Sequence, residues 1–362
     1  MSDRQLDAAI AAQERAIRHW KTVLMAVVMV LVVSALVVGG AILFPHYAAS
    51  QIVAEPASGQ EQDPTMLHSA ATASASPTPS PSPTQLTLNG VTELALENLD
   101  AVDGNSEFAT LGLELSDEAN AQIEAAVQAI TDQGYGVSFV MVDLSTGGVL
   151  SAEGNVERYS ASSIKAPYIV SLAQTGTIDL GTVASGNNLM LANLIANTLH
   201  VSDNDAYDTL YTTYGRMPFL QWAADSGIAD TQIGYYGDLT ALDLARMWTM
   251  TADYLFAAKP MRGATADASA RGWLADQMID SLNSVISEAE PERLVYSKGG
   301  WIYGEGGFYA LNDGGIVLSG DDALERLDGR PSGVVVTVLS DACGRNDLLV
   351  PLVEALVAAV DA

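Results

Sequence analysis

Between Thr22 and Phe44 the chain runs for 23 residues without a charged side chain. As a helix such a run is about 34 Å long, enough to cross a hydrocarbon layer of about 30 Å. It offers no polar face to water, so it does not fit as a surface helix of a soluble domain. Arg4, Arg15, Arg18 and Lys21 stand before it, and the next lysine or arginine is Arg158. Positive charge confined to one flank of an apolar span keeps that flank in the cytoplasm. The expectation is a cytoplasmic segment 1–21, one transmembrane signal-anchor helix 22–44, and everything after Phe44 extracytoplasmic, in a single-pass protein of the cell membrane. A cleavable leader would have a shorter apolar core followed by a small-residue site. Phe44-Pro45-His46-Tyr47 supplies no such site, so the anchor reads as uncleaved.

The stretch beyond the span cannot pack a core. Ser76-Pro77-Thr78-Pro79-Ser80-Pro81-Ser82-Pro83-Thr84 favours an extended polyproline-like spacer. The weakly patterned acidic residues after it extend an unassigned linker stretch over 45–115. The chain as a whole holds 44 acidic and 16 basic residues, a net charge of −28. That balance excludes a general nucleic-acid binder, because little is available to neutralise phosphates, and it argues against docking on anionic lipid heads. Cys343 is the sole cysteine, so an intrachain disulfide is impossible; it reads as a small buried apolar residue.

The folded domain is expected at 116–362. Ser116-Asp117-Glu118 begins a helix whose apolar face is Ala119, Ile123, Val127 and Ile130. Residues 136–143 and 148–153 read as two strands joined at Ser145-Thr146-Gly147. A mostly helical stretch covers about 165–290, with clearer segments at 189–199, 206–214, 217–226 and 240–255. Strands return at 293–297, 307–318 and 333–340, the second interrupted at Asn312-Asp313-Gly314-Gly315. A last apolar helix covers 348–360. Strands from both ends of the domain must share one sheet. The fold class is therefore α/β (α+β): a mainly antiparallel five-stranded sheet flanked by helices, beside a small all-helical lobe, with the site between them.

Three motifs fall along this frame. Ser162 and Lys165 stand three apart at a helix start, which puts both on one face. A serine hydroxyl is inert until a neighbouring base takes its proton, and an amine can be that base. The pair is the more informative because the chain has only Lys21, Lys165, Lys259 and Lys298. Ser202-Asp203-Asn204 lies between two helices of the lobe, where Ser202 has the bland alternative of a helix cap. Lys298-Gly299-Gly300 ends a strand and is followed by Trp301. The domain's one histidine, His200, reads as a helix-end residue, and a histidine-based triad or metal centre is not implied. Trp301, Tyr303 and Phe308 read as packing side chains, apart from the Trp301 backbone.

In this order and setting the motifs resemble those of the class A β-lactamases and related penicillin-binding proteins. The resemblance covers about residues 116–362. It implies Ser162 as acylated nucleophile, Lys165 as general base, and Ser202 as proton relay to the leaving nitrogen. It also implies Asn204 as a substrate and lysine contact, Lys298 as a positive field for a substrate carboxylate, and Ser162 and Trp301 N–H groups as oxyanion hole beside Gly300. No cofactor and no metal is implied. The partner would be a small-molecule β-lactam or a peptidoglycan-derived amide or ester; the oligomer stays open. Two features depart from the family pattern. Residues 226–238 contain no Glu to activate a deacylating water, only Asp230 and Asp238, and Gly299 replaces the usual hydroxyl residue after the lysine. The segment between Ser162 and Ser202 is also short. A membrane-bound D-alanyl-D-alanine peptidase and a non-catalytic tethered envelope-binding module stay open as alternatives.

Overall fold

The computed structural model describes residues 87–228, 233–319 and 333–361, all within one unit, Thr78–Ala362. The segment 1–21, the apolar span 22–44, the proline-rich spacer up to residue 86, and Asp230 lie outside the described residues. Among the described residues, no helix is long and apolar enough to cross a membrane.

Packed structure begins ahead of Ser116. Helix α1 (Leu88–Ala101) starts at Thr87, whose hydroxyl accepts from Gly90 N, and buries Leu88, Val91, Ala95 and Leu99 along one stripe. Strand β1 (Ala109–Leu111) pairs antiparallel with β3 (Val149–Ala152). Both α1 and β1 come from the stretch that the sequence leaves in the linker. Helix α2 (Asp117–Thr131) is capped by Ser116 Oγ, which accepts from Ala119 N at 3.1 Å, with Asp117 and Glu118 in the dipole-favoured first turn.

Strands β2 (Val137–Asp143), β6 (Leu294–Ser297), β8 (Tyr309–Leu318) and β9 (Gly333–Ser340) complete the main path of the sheet. It is antiparallel throughout, in the order β1-β3-β2-β9-β8-β6. Strand β7 (Gly300–Tyr303) also pairs with β8. Seven strands replace the five expected, for two reasons. β1 adds an edge from the unassigned stretch, and the chain breaks at Lys298-Gly299 so that β6 and β7 pair with successive parts of one strand. Strand β8 itself is not interrupted: Asn312, Asp313, Gly314 and Gly315 all lie in it and are buried. The two glycines are there for space. A Cβ on Gly314 would lie 2.2 Å from Trp248 Nε1, and one on Gly315 would lie 2.7 Å from Tyr296 O.

The helical lobe comprises α3 (Lys165–Gln174), α4 (Leu180–Ala184), α5 (Leu189–His200), α6 (Asn204–Tyr214) and α7 (Met217–Asp225). Helix α8 (Ala241–Phe256) is buried around nearly its whole circumference and starts with a reciprocal Thr240/Asp243 capping box. Short helices α9 (Ala268–Asp276) and α10 (Val285–Ala289) lead back to the sheet, and α11 (Asn346–Asp361) closes the chain. Alternation along the central strands divides the core in two. Phe139 and Met141 of β2 pack with α2 and α11. Val140 and Val142 pack with α8 and the lobe. Two short strands, β4 (Arg158–Tyr159) and β5 (Asp238–Leu239), pair next to the site. Cys343 is buried, as expected.

Candidate active site

The first motif sits on a tight turn. Residues Ala161–Ile164 form one 3-10 turn that runs into α3 at Lys165. Ala161 has φ of +46°, a left-handed conformation that costs a non-glycine residue energy and is held by its surroundings. Of the neighbouring serines, Ser163 is buried and donates to Ser160 O at 2.7 Å, and Ser160 is buried under the turn. Ser162 is half-buried. Asn312 of β8 ties the turn down. Its amide donates to Tyr159 O (2.7 Å) and Ser160 O (3.1 Å), while its oxygen accepts from Ser340 N (3.1 Å).

The second motif closes over Lys165. Its amine is buried and donates to Ser202 O at 2.8 Å and to Asn204 Oδ1 at 2.7 Å. Ser202 takes a left-handed backbone, φ +57°, and its carbonyl meets the lysine. The helix-cap role falls to Asp203, whose carboxylate accepts from Ala206 N at 2.9 Å. Ser202 Oγ is thereby left to Lys298, whose amine donates to it at 3.0 Å and to Gly299 O at 2.6 Å. The two lysines are thus joined through one residue, Ser202. His200 ends α5, and its carbonyl accepts from Leu282 N.

Both amines hold their protons weakly. Burial lowers Lys165 to about 8, opposed by the charge of Asp203. Burial, then repulsion from Lys165, lowers Lys298 to about 7, opposed by Asp313. Asp313 is itself fully buried, which raises it to about 6 although it accepts from Ile286 N, Ser284 Oγ and Gly314 N. Such a pair of amines can exchange protons with a nearby hydroxyl near neutral pH.

The third motif places a strand edge on the serine. A Cβ on Gly300 would lie 2.6 Å from Ser163 N and 2.9 Å from Ser162 N. Only glycine lets β7 come this close. A Cβ on Gly299 would lie 2.5 Å from Asn283 O, which is why no hydroxyl-bearing side chain stands after this lysine. Trp301 extends β7 with its ring half-exposed, and Tyr303, Phe308 and Tyr309 are exposed nearby. They form a partly exposed aromatic rim beside the edge strand β7, in which Tyr303 packs edge-on to Tyr309 with centroids 5.5 Å apart. Phe308 stacks on Tyr159 with centroids 4.2 Å apart.

The structure therefore brings Ser162, Lys165, Ser202, Asn204, Lys298 and Gly300 into one cluster, with Trp301 next along β7. Three more residues belong to it that the motifs do not include: Asn312, Asp313 and Tyr236. Asn312 and Asp313 have the sequence signature of a turn. Tyr236 donates to Asn204 Oδ1 at 3.0 Å, and its ring centroid lies 5.7 Å from Lys165 Nζ, with that of Tyr207 at 5.3 Å. The pair Tyr235-Tyr236, in the loop that lacks a Glu, is the one signal the sequence offers for it. Asp238 is exposed on β5.

By fold and by the order of its motifs, the chain is β-lactamase-like. Residues 172–324 match the profile of the family described as "Beta-lactamase enzyme family"; that span contains the second and third motifs and begins after Ser162 and Lys165. Among solved structures, a β-lactamase from Sphaerobacter thermophilus is similar at 17% identity and TM-score 0.50, over 66% of this chain and 95% of that one. A β-lactamase from Streptosporangium roseum is similar at 14% identity and TM-score 0.49, over 68% and 99%. A PBP-A variant, solved as an acyl-enzyme complex with penicillin G, is similar at 14% and 0.49, over 67% and 97%. No curated protein sequence matches the chain.

Proposed function

We propose that this chain is a membrane-anchored, extracytoplasmic serine hydrolase that acts through an acyl-enzyme on Ser162. Its substrate would be a β-lactam or a cell-wall-derived amide or ester. One observation carries the reading: two buried amines of lowered pKa, Lys165 and Lys298, converge through Ser202 beside a half-buried serine. In the first step Ser162 Oγ bonds to the carbonyl carbon while its proton passes to neutral Lys165, directly or through a water. The oxyanion would take the Ser162 and Trp301 N–H groups, donors of the kind that contribute about 3 kcal/mol each to the transition state. The bond to the leaving nitrogen then breaks as that nitrogen receives a proton through Ser202. Asn204 would hold the substrate amide, and charged Lys298 would attract its carboxylate without help from a hydroxyl at position 299.

Intact-mass measurement with penicillin G tests this. An adduct of one acyl group is expected on the native chain and none on Ser162→Ala; absence of an adduct with any β-lactam or activated ester would sink the proposal. A cell-wall peptidase shares every step up to the acyl-enzyme. That reading is favoured by one fact: among the described residues, the hydrogen bonds of Lys165 go to a carbonyl and an amide oxygen, and none goes to a carboxylate. A purely binding module predicts instead that Ser162→Ala leaves intact every phenotype that loss of the domain removes.

A further inference from the structure

We infer that Tyr236 plugs the position beside Lys165 from which water would attack the acyl group on Ser162, so that the chain holds its acyl group for long periods. This rests on the acyl-enzyme reading above. Release requires that a water oxygen bond to the ester carbon, that the bond from that carbon to Ser162 Oγ break, and that the water's proton pass to a base and on to Oγ. Lys165 is the base the cleft offers. A water able to reach both Lys165 Nζ and the ester would lie among Ser162, Lys165 and Asn204. The hydroxyl of Tyr236 is already there. It donates to Asn204 Oδ1 at 3.0 Å, the same oxygen that accepts from Lys165 Nζ at 2.7 Å, and its ring centroid lies 5.7 Å from that amine.

The plug is held from behind. Tyr236 packs edge-on to Tyr235 with centroids 4.5 Å apart and tilted on Tyr207 at 5.4 Å. Tyr207 is buried and donates to Tyr235 O at 3.0 Å, which fixes the pair to α6. The phenol is no substitute for a base. Burial, reinforced by Tyr235 and Tyr159, drives its pKa well above the ordinary tyrosine value, so it stays a donor.

The test follows the lifetime of the penicillin G adduct on the full-length chain in detergent micelles by quenched intact-mass spectrometry. Tyr236→Ala, which opens the position, is expected to shorten the adduct lifetime by about tenfold or more, and Tyr236→Phe, which keeps the ring, to hold it within about threefold. Cooperative melting of each variant checks that it is folded, and Tyr236→Leu serves if the alanine variant is not. An adduct on the opened variant that lasts as long as the native one overturns the plug, as does a native adduct lost within seconds. If the native chain forms no adduct at all, the acyl-enzyme reading fails first and the plug with it; a formed adduct with unchanged lifetime defeats the plug alone.

Discussion

At the scale of single residues, the cleft works by withholding water from two amines. Lys165 would act neutral and Lys298 charged, yet Lys165 titrates at about 8 and Lys298 at about 7. The signs oppose each other: raising the pH frees Lys165 to accept a proton and strips Lys298 of the charge that attracts a carboxylate. The productive form is a minority at every pH and peaks between the two values. Acylation by a carboxylate-bearing β-lactam should therefore follow a narrow bell with its maximum at about pH 7.5, the limbs belonging to the coupled pair. Stopped-flow acylation across the range from mildly acidic to strongly alkaline buffer checks it, and a rate still climbing at the alkaline end would remove Lys298 from the scheme. Gly300 makes a second residue-scale prediction. The atoms that a Cβ would strike, Ser163 N, Ser160 O and Ser162 N, are backbone and cannot swing aside. Gly300→Ala should cost about 1–3 kcal/mol in urea unfolding and lower the acylation rate by at least about tenfold through misplacement of Ser162.

At the scale of elements, β8 is the spine of the site. Asn312 fastens the Ser162 turn to β9, and the charge of Asp313 acts on Lys298. Asn312→Ala would take this partner from Tyr159 O and Ser340 N, while Ser160 O keeps its bonds from Ser163, at a cost of about 2 kcal/mol measured by chemical denaturation. A loss under about 1 kcal/mol would show that the turn stands without the strap. The same strand shows where sequence reading stops. The helix boundaries of the lobe, the Thr240 capping box and the Ser162, Ser202 and Lys298 motifs are local patterns, and periodicity and capping chemistry expose them. Asn-Asp-Gly-Gly is a strong local signal for a turn, yet tertiary crowding by Trp248 and Tyr296 accounts for both glycines. Leu88, Val91, Ala95 and Leu99 carry a helical stripe, but the polyproline spacer before them masks α1 as more linker. Tyr236 is hidden for a different reason: a phenol where a carboxylate is expected gains meaning only from its contact with Asn204.

At the scale of the whole molecule, the one-sided positive charge next to the uncharged span sets the proposed topology. Arg4, Arg15, Arg18 and Lys21 precede the uncharged span, and no further lysine or arginine occurs until Arg158. Charges on a short flank dominate orientation, since long segments after a span translocate with little regard to theirs. The spacer beyond it carries Pro77, Pro79, Pro81 and Pro83 among serines and threonines, the composition of an extended linker and a preferred site of proteolytic nicking. Protease added to intact spheroplasts should then release a soluble fragment that contains Thr87 onward and still takes the Ser162 adduct. The membrane pellet should keep the N-terminal epitope, protected until the cells are lysed. Release of the N-terminal epitope from intact spheroplasts would reverse the orientation, and a fragment left uncut until lysis would place the serine site inside the cell, away from any cell-wall substrate.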